Sequence, residues 1–156
     1  MVCYTRKHKI PFQIDDEDYE FVKGYTWYCD SNGYIRATVN QKTVLLHRLI
    51  MNAPKGMEID HVNGDKVDDR KSNLRICTHQ QNVHNTKPTL NPRTSCYKGV
   101  CWHKTTKKWQ AYINFHRKKK YLGLFATEEE SALAYNAKAE ELFGEFAWLN
   151  VITEDK

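Results

Sequence analysis

The sequence predicts a mixed α+β protein made of two successive domains. In residues 57–86 two strand-like runs precede a helix-like stretch, and after residue 97 three strand-like runs precede a longer helical pattern. The segment TKPTLNPRTS between them contains two prolines and interrupts regular structure. We therefore expect a first domain at 1–86, a linker at 87–95, a second domain at 96–150 and a tail at 151–156.

Composition favours a folded protein with one basic surface. Of the 156 residues, 40% are hydrophobic and 12% aromatic, which is enough for folded cores. No apolar stretch approaches the ~20 residues that span a bilayer, so no membrane partner is expected. Residues 86–120 contain ten Lys or Arg and no acidic residue, whereas residues 121–156 contain two against eight. This distribution predicts a face that binds a polyanion, the alternative being a solvated basic surface.

The five cysteines are scattered along the chain and form no CxxC pair. This pattern is typical of reduced thiols, and it predicts a cytoplasmic protein without a disulfide framework or a cysteine zinc site. The three histidines His47, His79 and His84, without such a pair, likewise argue against a structural zinc site.

Several short elements are expected ahead of residue 57. An acidic start predicts a helix at 15–22, and the Asn32-Gly33 step predicts a hairpin between strands at 27–29 and 34–39. Residues 43–51 (TVLLHRLIM) are apolar apart from a His-Arg pair, and their type, strand or helix, stays open.

Residues 57–86 have the order strand, loop, strand, helix. Strands are expected at 57–61 and 74–77, and THQQ at 78–81 is a capping-box pattern that opens a helix to about residue 85. Four polar residues fall at the ends of these elements or one turn into the helix: Asp60, His61, Asn73 and Asn82.

Hydrolysis of a phosphodiester makes three chemical demands. A base must take a proton from water, the charge on the phosphate must be stabilised, and a cation must hold the leaving oxygen. Two strands and a helix meet these demands when a strand end carries a ligand and a base, and the helix carries a second ligand. The spacings, 12 residues from His61 to Asn73 and 9 from Asn73 to Asn82, fit this arrangement. Taken singly, each residue is better explained by structure alone: Asp60 and His61 as a strand end, Asn73 as a turn residue and Asn82 as a solvated helix position.

The stretch HRLIMNAPKGMEIDHVNGDKVDDRKSNLRICTHQQNVHN resembles the HNH endonucleases of phages and mobile introns, the ββα-metal nucleases. The resemblance implies a ββα-metal core at about 57–86, in which His61 is the general base. It implies that Asp60 and Asn82 ligate one Mg²⁺, Mn²⁺ or other divalent cation, and that Asn73 orients His61 through the loop. It also implies a phage- or prophage-encoded protein in the cytoplasm of a bacterial host.

Some positions stay open within this resemblance. The pair Asp68-Asp69 departs from the Asp-Asn usual in the family and adds negative charge near the DNA side. Arg70 and Arg75 are either phosphate contacts or partners of that acidic pair in a salt bridge. Four residues have no assigned role: His47, Arg48, His79 and His84.

The second domain is predicted as three strands and one helix. Strand-like runs lie at 98–103, 109–115 and 119–125, and TEEE at 127–130 is a capping box that opens a helix at 128–143. Apolar residues of that helix, at 132, 135, 139 and 142, step by 3, 4 and 3 and therefore share one face.

Residues 95–150 resemble the APETALA-two/ethylene-response-factor DNA-binding domain. The matching pieces are YKGV at 97–100, WQAYI at 109–113, YLGLF at 121–125, TEEESALAYN at 127–136 and FGEFAWLN at 143–150. The resemblance implies a three-stranded antiparallel sheet in the major groove of DNA, packed on one helix behind it. Seven residues are expected to contact DNA: Lys98, His103, Lys104, Asn114, Arg117, Lys119 and Tyr121. The arginines with which the plant domains read guanine are replaced here, so the preference for a GC-rich site does not transfer.

Together these patterns predict a site-directed, metal-dependent endonuclease of homing type, which nicks or cuts double-stranded DNA as a monomer or homodimer. The alternative is a DNA-binding regulator with an inactive nuclease fold. The presence of all four polar residues favours the enzyme. A protein that acts on RNA ranks below both, because the aromatic residues of the second domain alternate into a core.

Overall fold

Strands and helices are interspersed along the chain, which is a mixed α+β protein as predicted. The structure is a computed structural model that describes residues 1–86 and 95–152. The chain forms two compact units, Met1–Val83 and His84–Lys156. Most of the predicted linker at 87–95 and of the predicted tail at 151–156 lies outside the described residues. In the described part of the chain, no helix is long and apolar enough to cross a bilayer.

Two small antiparallel sheets open the first unit. β1 (Val2–Tyr4) pairs with β2 (Pro11–Gln13). The second sheet contains, in order, β3 (Tyr28–Cys29), β4 (Ile35–Val39) and β5 (Lys42–Leu45). Three-residue strands carry too few side chains for an alternating pattern, which is why β1 and β2 were not predicted.

The helices that precede residue 57 are short. The helix expected at 15–22 is divided into a 3₁₀ turn, Asp16–Asp18, and α1, Tyr19–Val22. Residues 43–51, whose type was open, contain both the end of β5 and α2 (Leu46–Met51). α2 ends at Asn52, which adopts the left-handed conformation that asparagine tolerates (φ 45°).

A hairpin and a third short helix complete the first unit. β6 (Glu58–His61) pairs antiparallel with β7 (Leu74–Cys77), and α3 (His79–His84) follows. A 3₁₀ turn, Lys71–Asn73, leads into β7. The core of the unit includes Phe12, Ile14, Ile35, Leu46, Ile59 and Leu74. Because β6, β7 and α2 all contribute to this core, the polar residues beside Ile59 and Leu74 are held in position.

The second unit contains one antiparallel sheet, in the order β10-β9-β8, and one long helix. The elements are β8 (Val100–His103), β9 (Lys108–Phe115), β10 (Lys118–Phe125) and α4 (Glu128–Phe143). Thr127 and Glu130 form the expected capping box at the start of α4. Ile113 of β9 packs with Tyr135 and Ala139 of α4, so the helix covers one face of the sheet.

Gly99 allows α4 to approach the sheet closely. It has a positive φ of 75°, and a Cβ atom there would lie 2.1 Å from the ring of Tyr135 and 2.5 Å from the carbonyl oxygen of Tyr112. Only glycine fits this position without moving the helix or the strand.

Candidate active site

Strand β6 presents its side chains to two sides, because successive residues of a strand point in opposite directions. Glu58 and Asp60 lie on one side, which we call the carboxylate face. Ile59 and His61 lie on the other side, the histidine face, where Ile59 joins the core and His61 is only 5% exposed. The residues predicted as ligand and base are therefore neighbours in sequence whose side chains diverge.

Asp60 is buried on the carboxylate face and is paired with an arginine. Arg75 lies directly opposite it in β7, and its Nε and Nη2 atoms donate to Asp60 Oδ2 at 2.8 and 2.6 Å. The guanidinium balances a charge whose burial would otherwise be costly. Of the two interpretations of Arg75, the salt bridge is present, but its partner is Asp60 and not the Asp68-Asp69 pair.

Glu58 connects β6 to helix α3. Asn82 Nδ2 donates to Glu58 Oε2 at 2.7 Å, and His79 Nδ1 lies 2.8 Å from Glu58 Oε1. The hydrogen bonds from Asn82 and then from His79 lower the pKa of Glu58. Asn82 is thus held directly by Glu58, which lies two residues from Asp60 on the same face.

The carboxylate face has the ligand chemistry that a hard divalent cation prefers. It combines the carboxylates of Glu58 and Asp60 with the amide of Asn82, and Mg²⁺ favours oxygen ligands and keeps several waters. The guanidinium of Arg75 already supplies a positive charge at Asp60. The donor set therefore fits the expected Mg²⁺ or Mn²⁺, and the carboxylate of Glu58, which was not among the predicted residues, lies beside it.

On the histidine face, His61 lies in a buried cluster with His47 of α2 and Asp69 of the β6–β7 loop. His61 Nε2 is 3.0 Å from Asp69 Oδ1, and His47 Nδ1 is 3.9 Å from the same oxygen. The rings of His47 and His61 meet edge to face with their centroids 5.2 Å apart, and the ring of Tyr34 lies 5.3 Å from that of His47. Three ionisable groups are therefore buried together.

Burial governs protonation in this cluster. Desolvation, followed by the charges of His61 and Arg48, lowers the pKa of His47 to about 3, so this imidazole is neutral at neutral pH. Desolvation also raises the pKa of Asp69, against the opposing effect of its hydrogen bond with His61. A neutral His61 that donates its Nε2–H to Asp69 carries its basic lone pair on Nδ1.

Asn73 ties together the loop between β6 and β7. Its Oδ1 accepts a hydrogen bond from the backbone N–H of Asn63 at 3.0 Å, and its Nδ2 donates to the carbonyl of Asp68 at 2.8 Å. Arg70 donates two hydrogen bonds of 2.7 Å to the carboxylate of Asp68, which lowers the pKa of that carboxyl group. These contacts hold the loop that carries Asp69, the hydrogen-bond partner of His61.

Two contributors to the site were missed from the sequence. Glu58 had a usable signal, because its spacing of two from Asp60 places both carboxylates on one side of a strand. Asp69 was noted only as a departure from the family pattern. Its contact with His61 depends on how the loop folds, which local pattern does not reveal.

The histidines without an assigned role have three different environments. His47 belongs to the buried cluster, and His79 binds Glu58. His84 stacks on Phe143 with 3.8 Å between ring centroids, and this contact lies within the second unit.

The sheet of the second unit has a polar face turned away from α4. Across β9 and β10, Lys119 pairs with Asn114 and Tyr121 pairs with Tyr112, so these four side chains share that face. Asn114 is exposed and Tyr121 is 60% exposed. The ammonium of Lys119 lies 3.6 Å from the centroid of the Tyr112 ring. An aromatic and basic surface results.

The two turns of this sheet, which lie at opposite ends of β9, carry further cations. Lys104 and Arg117 are exposed in the turns that join β8 to β9 and β9 to β10. His103 ends β8, and its Nδ1 lies 2.8 Å from Thr106 Oγ1.

Lys98 has a different environment from the other predicted DNA contacts. It is half-buried, and its Nζ donates to the carbonyls of His84 and Thr86 at 2.9 and 2.7 Å. Burial lowers the pKa of Lys98 to about 8. Its ammonium holds the backbone at 84–86, in contrast to the exposed cations of the sheet and its turns.

Comparisons with known proteins bear on both units. The HNH endonuclease family matches residues 44–84, the segment that contains α2, β6, β7 and α3. Protein 3.8 of Escherichia phage T7 is 33% identical over 94 residues, which are 60% of this chain and 76% of that protein. An AP2-like ethylene-responsive transcription factor of Arabidopsis thaliana is 43% identical over 61 residues, 38% of this chain but only 16% of that protein.

A relative from a virus covers much more of the chain. An uncharacterized HNH endonuclease, L560, of Acanthamoeba polyphaga mimivirus is 31% identical over 142 residues, which are 87% of this chain and 72% of that protein. Its similarity extends well beyond the segment matched by the family. The chain therefore belongs to the HNH endonuclease family and is an endonuclease.

Proposed function

We propose that the protein hydrolyses phosphodiester bonds of double-stranded DNA with the help of a divalent cation, in a ββα-metal site formed by β6, β7 and α3. One observation supports this most directly. Asn82 of α3 donates to Glu58 of β6 at 2.7 Å, on the face that also carries Asp60. This contact brings oxygen ligands from the strand and the helix together. One of the strand ligands, Asp60, directly precedes His61 in the sequence.

Asp60 and Asn82 hold the cation, Mg²⁺ or Mn²⁺, and Glu58 is the adjacent oxygen donor. When bound, such a cation stabilises the charge on the phosphate and on the departing 3′ oxygen. Arg75, whose Nη2 lies 2.6 Å from Asp60 Oδ2, keeps the buried carboxylate charge-balanced before the cation binds.

His61 is the general base that takes a proton from water. Asp69 holds its Nε2 at 3.0 Å, and the neutral tautomer that donates this hydrogen has Nδ1 as its basic atom. Asn73 is a positioning residue, because it bonds the backbone at 63 and 68 and so fixes the loop that carries Asp69.

The polar face of the second unit binds the duplex as an AP2-like domain. Asn114, Lys119 and Tyr121 lie on that face, with His103 at its edge. Lys104 and Arg117 in the turns contact phosphates. The charge distribution supports this orientation, since residues 86–120 carry ten Lys or Arg and no acid, while α4 begins with three glutamates.

The biological setting and the assembly are part of the same proposal. The similarity to a phage T7 protein supports an origin in a phage or prophage and action in the cytoplasm of a bacterial host. A monomer with one site nicks one strand, and a homodimer or two successive nicks give a double-strand break. Cleavage at chosen sites by a separate DNA-binding unit suits an enzyme of homing type.

Sequencing of cut ends tests the proposal. The full chain is incubated with a randomised duplex library in Mg²⁺, in Mn²⁺ and in a chelator. Clustered ends are expected with either cation and none with the chelator. His61→Ala should abolish the cuts, whereas His8→Ala, a change at an exposed histidine of the same unit, should leave them. Binding of the library without cuts in any cation would contradict the enzymatic proposal and favour a DNA-binding regulator.

A further inference from the structure

Two polar atoms in the histidine cluster lack hydrogen-bond partners within residues 1–86 and 95–152. They are His47 Nδ1 and Asp69 Oδ2. The His47 side chain is 7% exposed and that of Asp69 is 0% exposed, so neither atom is satisfied by bulk water. Buried polar atoms are almost always hydrogen-bonded, and an unpaired one in a native protein calls for a bound water or ion.

The cluster has the spacing of metal ligands. One ligand atom from each of His47, His61 and Asp69 lies within 4.8 Å of the other two. The two distances to Asp69 Oδ1 are 3.0 Å from His61 Nε2 and 3.9 Å from His47 Nδ1. Ligands at about 2.0–2.1 Å from a tetrahedral ion are roughly 3.3 Å from one another, which lies between these two distances. Small movements of the two imidazole rings would bring both nitrogens and the carboxylate oxygen to bonding distance from one ion.

We propose that His47, His61 and Asp69 form a second metal site, which takes a transition-metal dication such as Zn²⁺. Two imidazole nitrogens and one carboxylate suit such ions, whereas Mg²⁺ prefers oxygen ligands. The site lies on the histidine face of β6, and the cation of the proposed nuclease lies on the carboxylate face. The two sites therefore differ in ligands, in burial and in the metal that they select.

The aspartate at position 69 provides the third ligand. From the numbers of histidines and cysteines alone, no structural zinc site was expected. Those numbers leave out carboxylates, and Asp69 in the β6–β7 loop supplies one. Asp69 supplies a negative charge that an asparagine at the same position would lack. His47 needs no deprotonation to bind, since burial already keeps its imidazole neutral.

Occupation of this site has a consequence that rests on the proposed function. The ligand atom of His61 is Nε2 of the imidazole whose Nδ1 is proposed as the base. A dication on Nε2 withdraws electron density from the ring and weakens that base. Zn²⁺ should therefore inhibit cleavage even in an excess of Mg²⁺, and a chelator selective for zinc should restore it.

Titration with Co²⁺ tests the site independently of activity. The full chain, without a histidine tag and stripped of metal with a chelator, is titrated with Co²⁺ while the visible d–d absorption is recorded. One equivalent of low-coordinate Co²⁺, displaced by Zn²⁺, is expected for the wild type. His47→Gln, on α2, and Asp69→Asn, in the loop, should weaken this binding by at least about tenfold. Asp60→Asn is the matched control on the carboxylate face and should bind Co²⁺ as the wild type does.

The outcomes separate this site from the proposed nuclease. Absence of the d–d bands in the wild type, or equal binding by folded Asp69→Asn, overturns the second site. Ligation by the five free cysteines would add intense ultraviolet charge-transfer absorption that survives in Asp69→Asn, and this would overturn it too. Co²⁺ binding with no cleavage in any cation would support this site and contradict the proposed function. DNA cleavage without Co²⁺ binding would support the proposed function and contradict the second metal site.

Discussion

The two faces of β6 bury charge in two different ways. On the carboxylate face the protein supplies the partners, since Arg75 pairs with Asp60, and Asn82 bonds Glu58. On the histidine face, two buried atoms of the cluster have no partner in the described part of the chain. On the first face a cation of the chain itself pairs with the buried carboxylate, and the proposed metal would have to share or replace that partner. On the second face, the proposed second cation would supply the partner that the described residues do not.

The largest expected effect comes from removing the proposed base. His61→Ala should lower the single-turnover rate of DNA cleavage by roughly 10²–10⁴-fold, the usual contribution of a general base. Asn82→Ala, on the opposite face, should also slow cleavage, but raising the Mg²⁺ concentration should restore part of it. Rescue of His61→Ala by Mg²⁺ would instead place His61 among the ligands and erase the distinction between the faces.

The next effect tests whether Arg75 stands in for a cation. Arg75→Met removes the guanidinium that pairs with the buried carboxylate of Asp60, and breaking such a pair costs about 3–5 kcal/mol of unfolding free energy. Mg²⁺ should recover part of that loss, because a cation at Asp60 replaces the missing charge. Urea unfolding with and without Mg²⁺ measures both quantities.

Arg70→Met is the matched control for this measurement. Its guanidinium pairs with Asp68 in the loop and is 43% exposed, so the loss should be smaller and insensitive to Mg²⁺. Equal recovery of both variants by Mg²⁺ would show that the cation acts elsewhere than at Asp60.

Acid should affect the two faces in different pH ranges. The pKa of His47 is about 3 in the folded protein and ordinarily 6.5, so the unfolded state binds the proton first as the pH falls. The contribution of His47 to the free energy of unfolding is therefore complete above pH 6.5. As the pH falls towards 3, this contribution decreases by at most about 1.4 kcal/mol per pH unit. The lowered pKa of Glu58 acts only as the pH falls below about its ordinary 4.5.

Unfolding midpoints in urea between pH 7 and pH 5 measure the contribution of the histidine face. His47→Gln should flatten this part of the profile, whereas Glu58→Gln should leave it unchanged. The raised pKa of Asp69 gives the free energy of unfolding the opposite dependence on pH. The contribution of Asp69 is lost as the pH rises through that pKa. Asp69 is present in both proteins, so the difference between His47→Gln and the wild type from pH 7 to pH 5 isolates the contribution of His47. A profile of Glu58→Gln that flattens there would contradict the assignment.

The smallest expected effect leaves both faces of β6 unchanged. Lys119→Ala should weaken duplex binding by a few-fold and reduce the slope of log affinity against log salt by up to about 1, since one positive charge of the proposed DNA-binding face is lost. The cleavage rate of bound DNA should not change. Lys138→Ala, whose ammonium pairs with Glu141 on α4, is the control and should alter neither quantity. A changed rate in Lys119→Ala would mean that this residue also acts on catalysis.

Much of the secondary structure could be predicted because its signals are local. The helix expected at 128–143 is α4, Glu128–Phe143, since a capping box marks its start and a glycine follows its end. The predicted bounds of β7 are the observed ones. The predicted bounds of β6 and of the three strands of the second unit differ from the observed bounds by at most two residues. The division of 43–51 into a strand and a helix had no such signal, because a continuous apolar run suits either.

Local sequence patterns were enough to propose four candidate residues and to predict that the side chains of Asp60 and His61 lie on opposite sides of β6. Asp60, His61 and Asn73 stand at the ends of predictable elements and Asn82 one turn into a predictable helix, and the period of a strand separates Asp60 from His61. Both conclusions depend only on residues close together in the chain.

Which side chains form hydrogen bonds with one another depends on the tertiary structure. Asn82 bonds Glu58 across 24 residues, His61 meets Asp69 across eight, and Arg75 reaches Asp60 because the register of β6 and β7 sets them opposite each other. Likewise, only the packing of α2 against the hairpin brings His47 to His61. Burial then shifts the pKa values of His47 and Asp69. Desolvation is a property of the surrounding packing, which no local pattern of residues contains.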